Sequence, residues 1–126
     1  MAEFNLDNIA TDLNNKIGKG ECVRYPVSKW ISSDGLSWYI VYNDDWKECG
    51  GIAKGAAYNS SARIIALPIE FSNTNYNIVA TPNTSGGNYS QSSNIDSKAV
   101  NQFGLVTAYN GSSTATLNCS YYACGY

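Results

Sequence analysis

The chain has 126 residues, a formal net charge of −2, 14 % charged side chains and 13 % aromatic ones. A chain of that length forms one domain and can bury a core without help from metal or disulfides. Its scarcity of basic residues argues against a nucleic-acid partner or an anionic membrane surface, both of which need a cationic face, and no apolar run approaches the ~20 residues of a membrane-spanning helix.

Solubility must then come from neutral polar groups, and Asn, Ser, Gly and Tyr are abundant. That palette suits adaptable recognition surfaces. It suits ordinary small β-domains equally well, so composition does not choose between them. No basic-then-apolar stretch opens the sequence, so no secretory leader is expected.

Residues 5–17 are the one stretch with helical spacing. Leu6, Ile9 and Leu13 fall three and four apart, with Ile17 a turn further on. This predicts up to two heptads of an oligomerising helix, too short to stand alone, ended by Gly18 and Gly20. Residues 21–36, with Pro26 and Asp34-Gly35, read as an extended stretch with a turn. SWYIVYNDDWKECGG, residues 37–51, is a hairpin signature. Trp38, Ile40 and Tyr42 alternate with Tyr39, Val41 and Asn43, and Asn43-Asp44-Asp45 supplies turn chemistry. Strands are expected at 37–43 and 46–53, with the two tryptophans packing across the hairpin.

In ARIIALPIEF, residues 62–71, Ile65, Leu67, Ile69 and Phe71 share a face, and Pro68 marks an edge or a bulge. A turn at Asn73–Asn75 predicts that NYNIVAT, residues 75–81, pairs back on it. Residues 83–97, NTSGGNYSQSSNIDS, read as a long polar loop. AVNQFGLVTAY, residues 99–109, is a further strand, followed by a turn at Asn110-Gly111-Ser112. STATLNCSYY, residues 113–122, alternates most cleanly, with Ala115, Leu117, Cys119 and Tyr121 inward and Thr114, Thr116, Asn118 and Ser120 outward. The ending YYACGY is unusually aromatic for a terminus, which predicts a last strand or an interface. The fold class is therefore all-β: a small antiparallel β-sandwich of about six strands, with a short N-terminal helical or extended segment before it.

The chain has no histidine. A Ser-His-Asp triad and a Cys-His pair are thus impossible, and the commonest general base is missing. Asp44, Asp45, Glu48, Glu70 and Asp96 are the carboxylates a glycosidase could draw on, but Asp44 and Asp45 read as turn formers and the others as solubilising charges. No catalytic residue is assigned. Cys22, Cys49, Cys119 and Cys124 contain no C-x-x-C pair, and Asn43, Asp44 and Asp45 offer too few oxygens for calcium. No metal and no cofactor is expected. The N-x-S/T sequons at Asn59, Asn83, Asn88, Asn110 and Asn118 are what chance gives in a chain this rich in Asn and Ser.

The polar loop offers the best candidate for binding. Tyr89 sits among Asn88, Gln91 and Asn94, and Tyr109 with Asn110 repeats the combination at the next turn. A tyrosine ring can cover the apolar C–H face of a sugar while amides pair with its hydroxyls. The plain alternative is a solvated loop with one stray tyrosine. Trp38 and Trp46 read as core or subunit-contact residues rather than ligand platforms.

Three pieces, WYIVYNDDWKECGG, LPIEFSNTNYNIVATP (67–82) and YYACGY, together resemble the C-terminal domain of bacteriophage tail fibres, from phages and prophages of gut bacteria, over residues 36–126. One departure is the hairpin turn, often Ser-Asp-Gly in that family and Asn43-Asp44-Asp45 here. The resemblance implies a β-sandwich head at 37–126, similar in architecture to the trimerising H-type lectin domain. Residues 1–36 would be the segment where the fibre shaft joins, carrying the oligomerising helix. It implies a receptor-binding tip that attaches a virion to a bacterial surface glycan or protein as a homotrimer. Assembly in a reducing bacterial cytoplasm would leave the cysteines free, Cys119 serving as a small buried hydrophobe. Subunit contacts are expected at Leu6, Ile9 and Leu13, and at Tyr121, Tyr122 and Tyr126 near the three-fold axis. Two rivals stand beside this reading: a monomeric carbohydrate-binding module or lectin, and a purely structural trimerising cap.

Overall fold

The computed structural model describes residues 23–83, 90–109 and 116–126, together with Thr11 and Thr114. The expected helix with Leu6, Ile9 and Leu13 lies outside the described residues, as do Cys22, Asn88, Tyr89 and Asn110.

The described chain is all β. In order the strands are β1 (Pro26–Ile31), β2 (Ser37–Tyr42), β3 (Lys47–Lys54), β4 (Ala56–Ala57), β5 (Arg63–Ala66), β6 (Asn77–Pro82), β7 (Gln91–Ala99), β8 (Gln102–Tyr109) and β9 (Asn118–Gly125). They form a five-stranded sheet, β1-β2-β3-β9-β6, and a four-stranded one centred on β8. In the second sheet β7 takes one side of β8, while β4 and β5 follow each other along the other side. Every pairing is antiparallel except β4 with β8.

The expected hairpin forms. β2 and β3 pair with Trp38 opposite Gly50 and Val41 opposite Lys47. Its turn works without glycine because Asp45 itself takes the left-handed conformation, at φ 66°. The two tryptophans do not meet across it. Trp38 lies over Gly50, where a Cβ would come within 3.0 Å of its ring, and Trp46 meets Tyr126 edge-on at 5.1 Å.

The inner face of the five-stranded sheet presents Cys49, Cys119, Tyr121 and Ala123 to Phe103, Leu105 and Thr107 of β8, and all seven are buried. The alternation along β9 is the one the sequence predicts, shifted to run from Asn118 to Gly125. The Phe103 and Tyr121 rings lie 5.1 Å apart. Phe71 and Tyr76, stacked at 4.3 Å, close one end of this core.

Three further expectations fail. First, 62–71 and 75–81 do not pair. β5 pairs with β8 and β6 with β9, so the chain changes sheet between them. Pro68 stops the strand, and the crossing is pinned by the Leu67 and Phe71 amides, which donate to the Asn101 and Val100 carbonyls. Second, the polar loop ends early: from Gln91 it is the nine-residue strand β7. Ser93 on its inner side donates its hydroxyl to the Ala80 carbonyl of β6, so a polar residue is satisfied at an inward-facing position. Third, the strand at 99–109 is divided, with a turn at Val100-Asn101 joining β7 to β8.

Candidate functional site

The nominated binding residues that are described fall in two places. Gln91 and Tyr109 face each other across β7 and β8. Asn94 is three positions along the strand, so it points to the opposite side, is exposed, and pairs with Val106. Among the nominated contact residues, Tyr121 is taken up by the core at 6 % exposure, while its neighbour Tyr122 and the terminal Tyr126 remain at 38 % and 49 %. Alternation along β9 explains the split: Tyr121 faces inward and Tyr122 outward.

Asn94 does not stand alone on that side. With Asp96, Tyr58, Ser60 and Ser61 it lines a depression of ≈ 540 Å³ on the outer face of the four-stranded sheet, over Val106. Tyr58 comes from the turn after β4 and is 63 % exposed. Nothing in the sequence tied Tyr58, Ser60 and Ser61 to Asn94, because the link is the pairing of β4 and β7 to opposite sides of β8. Ile95 and Asp96 also line a second depression, ≈ 370 Å³, where β6 and β7 run along the open edge of the sandwich. There Lys98 donates to the Tyr76 carbonyl at 2.8 Å, its ammonium 4.9 Å from the Tyr76 ring. The β7–β8 register is irregular between Ile95 and Lys98. Gly104 permits this, since a Cβ there would lie 2.9 Å from the Ser97 hydroxyl and 3.1 Å from the Ala62 methyl.

The outer face of the five-stranded sheet is different. The registers bring Ile31, Trp38, Gly50, Tyr122 and Val79 into one row across all five strands. Ile31 and Val79 at its ends are 65 % and 62 % exposed, and the Trp38 and Tyr122 rings are 6.2 Å apart. Burial and the neighbouring Glu48 push the Tyr122 phenol well above its ordinary range, so it is neutral at any physiological pH.

Several titratable groups are held away from their ordinary values. Burial pushes the Cys49 thiol up to about 12 and raises Cys119 as well, so both stay protonated and poorly nucleophilic. The hydroxyl of Ser32 lowers Asp34. Desolvation works against the Asp44 carboxylate, yet the hydrogen bonds and charge of Arg24, at 2.7 Å, bring it below its usual value. Among the described residues no group of three or more His, Cys, Asp or Glu could hold a metal ion.

Two solved fibre structures share this fold. An N-truncated R2-type pyocin tail fiber superposes with a TM-score of 0.63 at 15 % identity, over 100 % of this chain and 53 % of that one. The structure of the C-terminal part of the P. aeruginosa R2 pyocin fiber gives 0.62 at 14 %, over 100 % of this chain and 36 % of that one. This chain therefore spans about half or less of those fibre chains, and the likeness is one of fold. The model of the C-terminal domain of gp53-like tail fiber proteins matches residues 46–126, and the chain belongs to that family. No curated protein matches it.

Proposed function

We propose that this tail-fibre domain is the receptor-binding head of its fibre, holding a virion to a bacterial surface glycan or protein. The observation that carries this reading is the depression around Tyr58, Asn94 and Asp96, where an exposed ring stands beside groups that donate and accept hydrogen bonds. That is the chemistry a hydroxyl-rich ligand needs. The head acts as a trimer, with the apolar row on the opposite side of the sandwich turned to its neighbours. Weak sites repeated over three chains, and over several fibres, bind firmly through effective concentration.

The reading is one of contact without turnover. It is supported by the absence of histidine from the sequence, by two protonated thiols, and by two carboxylates, Asp34 and Asp44, held ionised rather than as acids. Assembly in the host cytoplasm fits the free thiols of Cys49, Cys119 and Cys124.

The test is adsorption. Purified protein should compete with phage for host cells. The double variant Tyr58→Ala/Asn94→Ala, altering exposed side chains only, should compete about tenfold less well, or worse, at unchanged mass and melting temperature. Undiminished competition would remove the site from the account. A protomer-sized particle with sugar affinity would favour the monomeric module, and a trimer that never competes would favour the structural cap.

A further inference from the structure

A second cleft lies where the chain ends. β9 runs between β3 and β6, and the Tyr126 carbonyl beyond it accepts a hydrogen bond from the Ser72 amide at 2.7 Å. Gly125 makes the approach feasible, because a Cβ there would sit 2.7 and 2.8 Å from Cβ and Cα of Tyr76. The strand thereby delivers Tyr126 to the 71–77 connection and to Trp46. Three stretches far apart in sequence meet, and between them is a cleft of ≈ 300 Å³ lined by Trp46, Tyr126, Asn73, Asn75 and Asn77 over Cys124 and Gly125.

Its polar groups are mostly carboxamides. The Asn73 carboxamide oxygen accepts from the Asn75 amide at 2.8 Å and shapes the turn. The Asn75 and Asn77 carboxamides and the Trp46 indole N–H make no hydrogen bond among the described residues, and both asparagines are exposed. No charged side chain lines the cleft. The Arg24 guanidinium lies 4.9 Å from the Trp46 ring centre and is itself held by Asp44, so the indole is fixed in place from outside the cleft.

We propose that this cleft is a saccharide-binding site that takes one neutral pyranose unit. It rests on the receptor-binding reading above and adds a site to it. A pyranose offers an apolar C–H face to a ring and adjacent hydroxyls that both donate and accept, which matches two aromatic rings beside two unpaired carboxamides. With no charged side chain in the lining itself, no charge on the sugar is called for. The volume is at the small end of ligand pockets and suits a single unit. Asn77 also lines the ≈ 370 Å³ depression at the open edge, so a glycan chain leaving the cleft runs toward Asp96.

The chain holds three tryptophans, and their indole N–H signals in a proton–nitrogen NMR spectrum are separate reporters. The full chain is titrated with the neutral methyl glycosides of glucose, galactose and N-acetylglucosamine. The Trp46 signal should move with at least one of them, with a dissociation constant of about 1 mM as befits one unit, while Trp30 and Trp38 stay in place. In Asn75→Ala/Asn77→Ala the same glycoside should bind about tenfold more weakly or not at all, with the unliganded spectrum otherwise retained. A silent Trp46 with all three sugars, or an equal shift in the double variant, overturns the site. Host-cell adsorption separates this from the broader reading: a silent Trp46 in a protein that still competes with phage removes the cleft alone, and failure of both removes the receptor-binding reading with it.

Discussion

The two outer faces of this sandwich obey the same alternation and come out chemically opposed. On the four-stranded side the outward positions of β7 carry Ser92, Asn94 and Asp96, beside Tyr58 and Ser60. On the five-stranded side they carry Ile31, Trp38, Tyr122 and Val79, aligned over a glycine. Single exposed apolar residues need no explanation. A row that crosses every strand of a sheet does, because each of its members gives up about 25 cal/mol per Å² of apolar surface left in water. The edges of that sheet carry their own protection, with Lys29 and a bulge near Pro26 on β1 and Pro82 at the end of β6. The face thus offers apolar side chains for contact, while the edges are guarded against strand addition. The opposite face is indented and carries polar side chains around Tyr58, which is what the receptor-binding proposal draws on.

Adjacent tyrosines test this contrast most sharply. Tyr121→Ala empties a core position and should cost about 3–5 kcal/mol, a large part of the ~5–15 kcal/mol available to such a domain. Tyr122→Ala, one residue on, should cost the isolated protomer about 1 kcal/mol or less. Urea unfolding compares the two, and equal losses would erase the distinction between inner and outer faces. The next test is of the row itself. Val79→Lys places an ammonium at its end without touching the protomer core. If the row is a subunit contact, light scattering should show the trimer give way to 13.6 kDa protomers. An unchanged trimer would assign trimerisation to another surface and leave the row unexplained.

How much of this was readable from the sequence follows from where each strand's partners are. The β2–β3 hairpin was legible because its pattern is local: apolar alternation, then Asn43-Asp44-Asp45, then a restart. The inward set Cys119, Tyr121 along β9 was legible because one face is wholly apolar. β7 was not, since its inward positions include Gln91 and Ser93, and Ser93 is satisfied by a carbonyl of the other sheet, a partner no local pattern displays. The pairing of 62–71 with 75–81 was misread for the same reason. Turn chemistry at Asn73–Asn75 is real, its Asx bond is present, but it serves a crossing between sheets and not a hairpin. The site suffered most. Asn94 was nominated on composition, Asp96 shares its face by simple alternation once β7 is a strand, and only Tyr58 joins them through the topology around β8.

Acid sensitivity gives a smaller effect on the five-stranded side. Arg24 holds the Asp44 carboxylate below its ordinary value. A lowered folded value means the pair stabilises the fold above the unfolded aspartate value of about 3.9, and that this contribution is lost as pH falls through the lower folded value. Asp44→Asn should therefore flatten the fall in urea midpoint on acidification below about pH 4, and leave alkaline behaviour unchanged. An identical acid profile would show the pair to be without thermodynamic weight, as exposed ion pairs often are.

The smallest effect is at the turn that sets the register of the apolar row. Asp45 occupies the left-handed region at φ 66°, where a side chain costs about 1–2 kcal/mol relative to glycine. The aspartate side chain makes no hydrogen bond among the described residues that would offset this, and the turn is closed by backbone, the Asp45 amide donating to the Tyr42 carbonyl at 3.0 Å. Asp45→Gly relieves that strain, but it also frees the unfolded chain, which returns about 0.4–1 kcal/mol. The net gain should be about 0.5 kcal/mol, or a rise in melting temperature of roughly 2–4 °C. Trp38 would remain over Gly50, because the register from Ser37–Gly51 to Val41–Lys47 is fixed by five residue pairs and not by the turn alone. A loss of stability instead would mean that the Asp45 side chain makes a favourable contact of its own that outweighs the relief of strain.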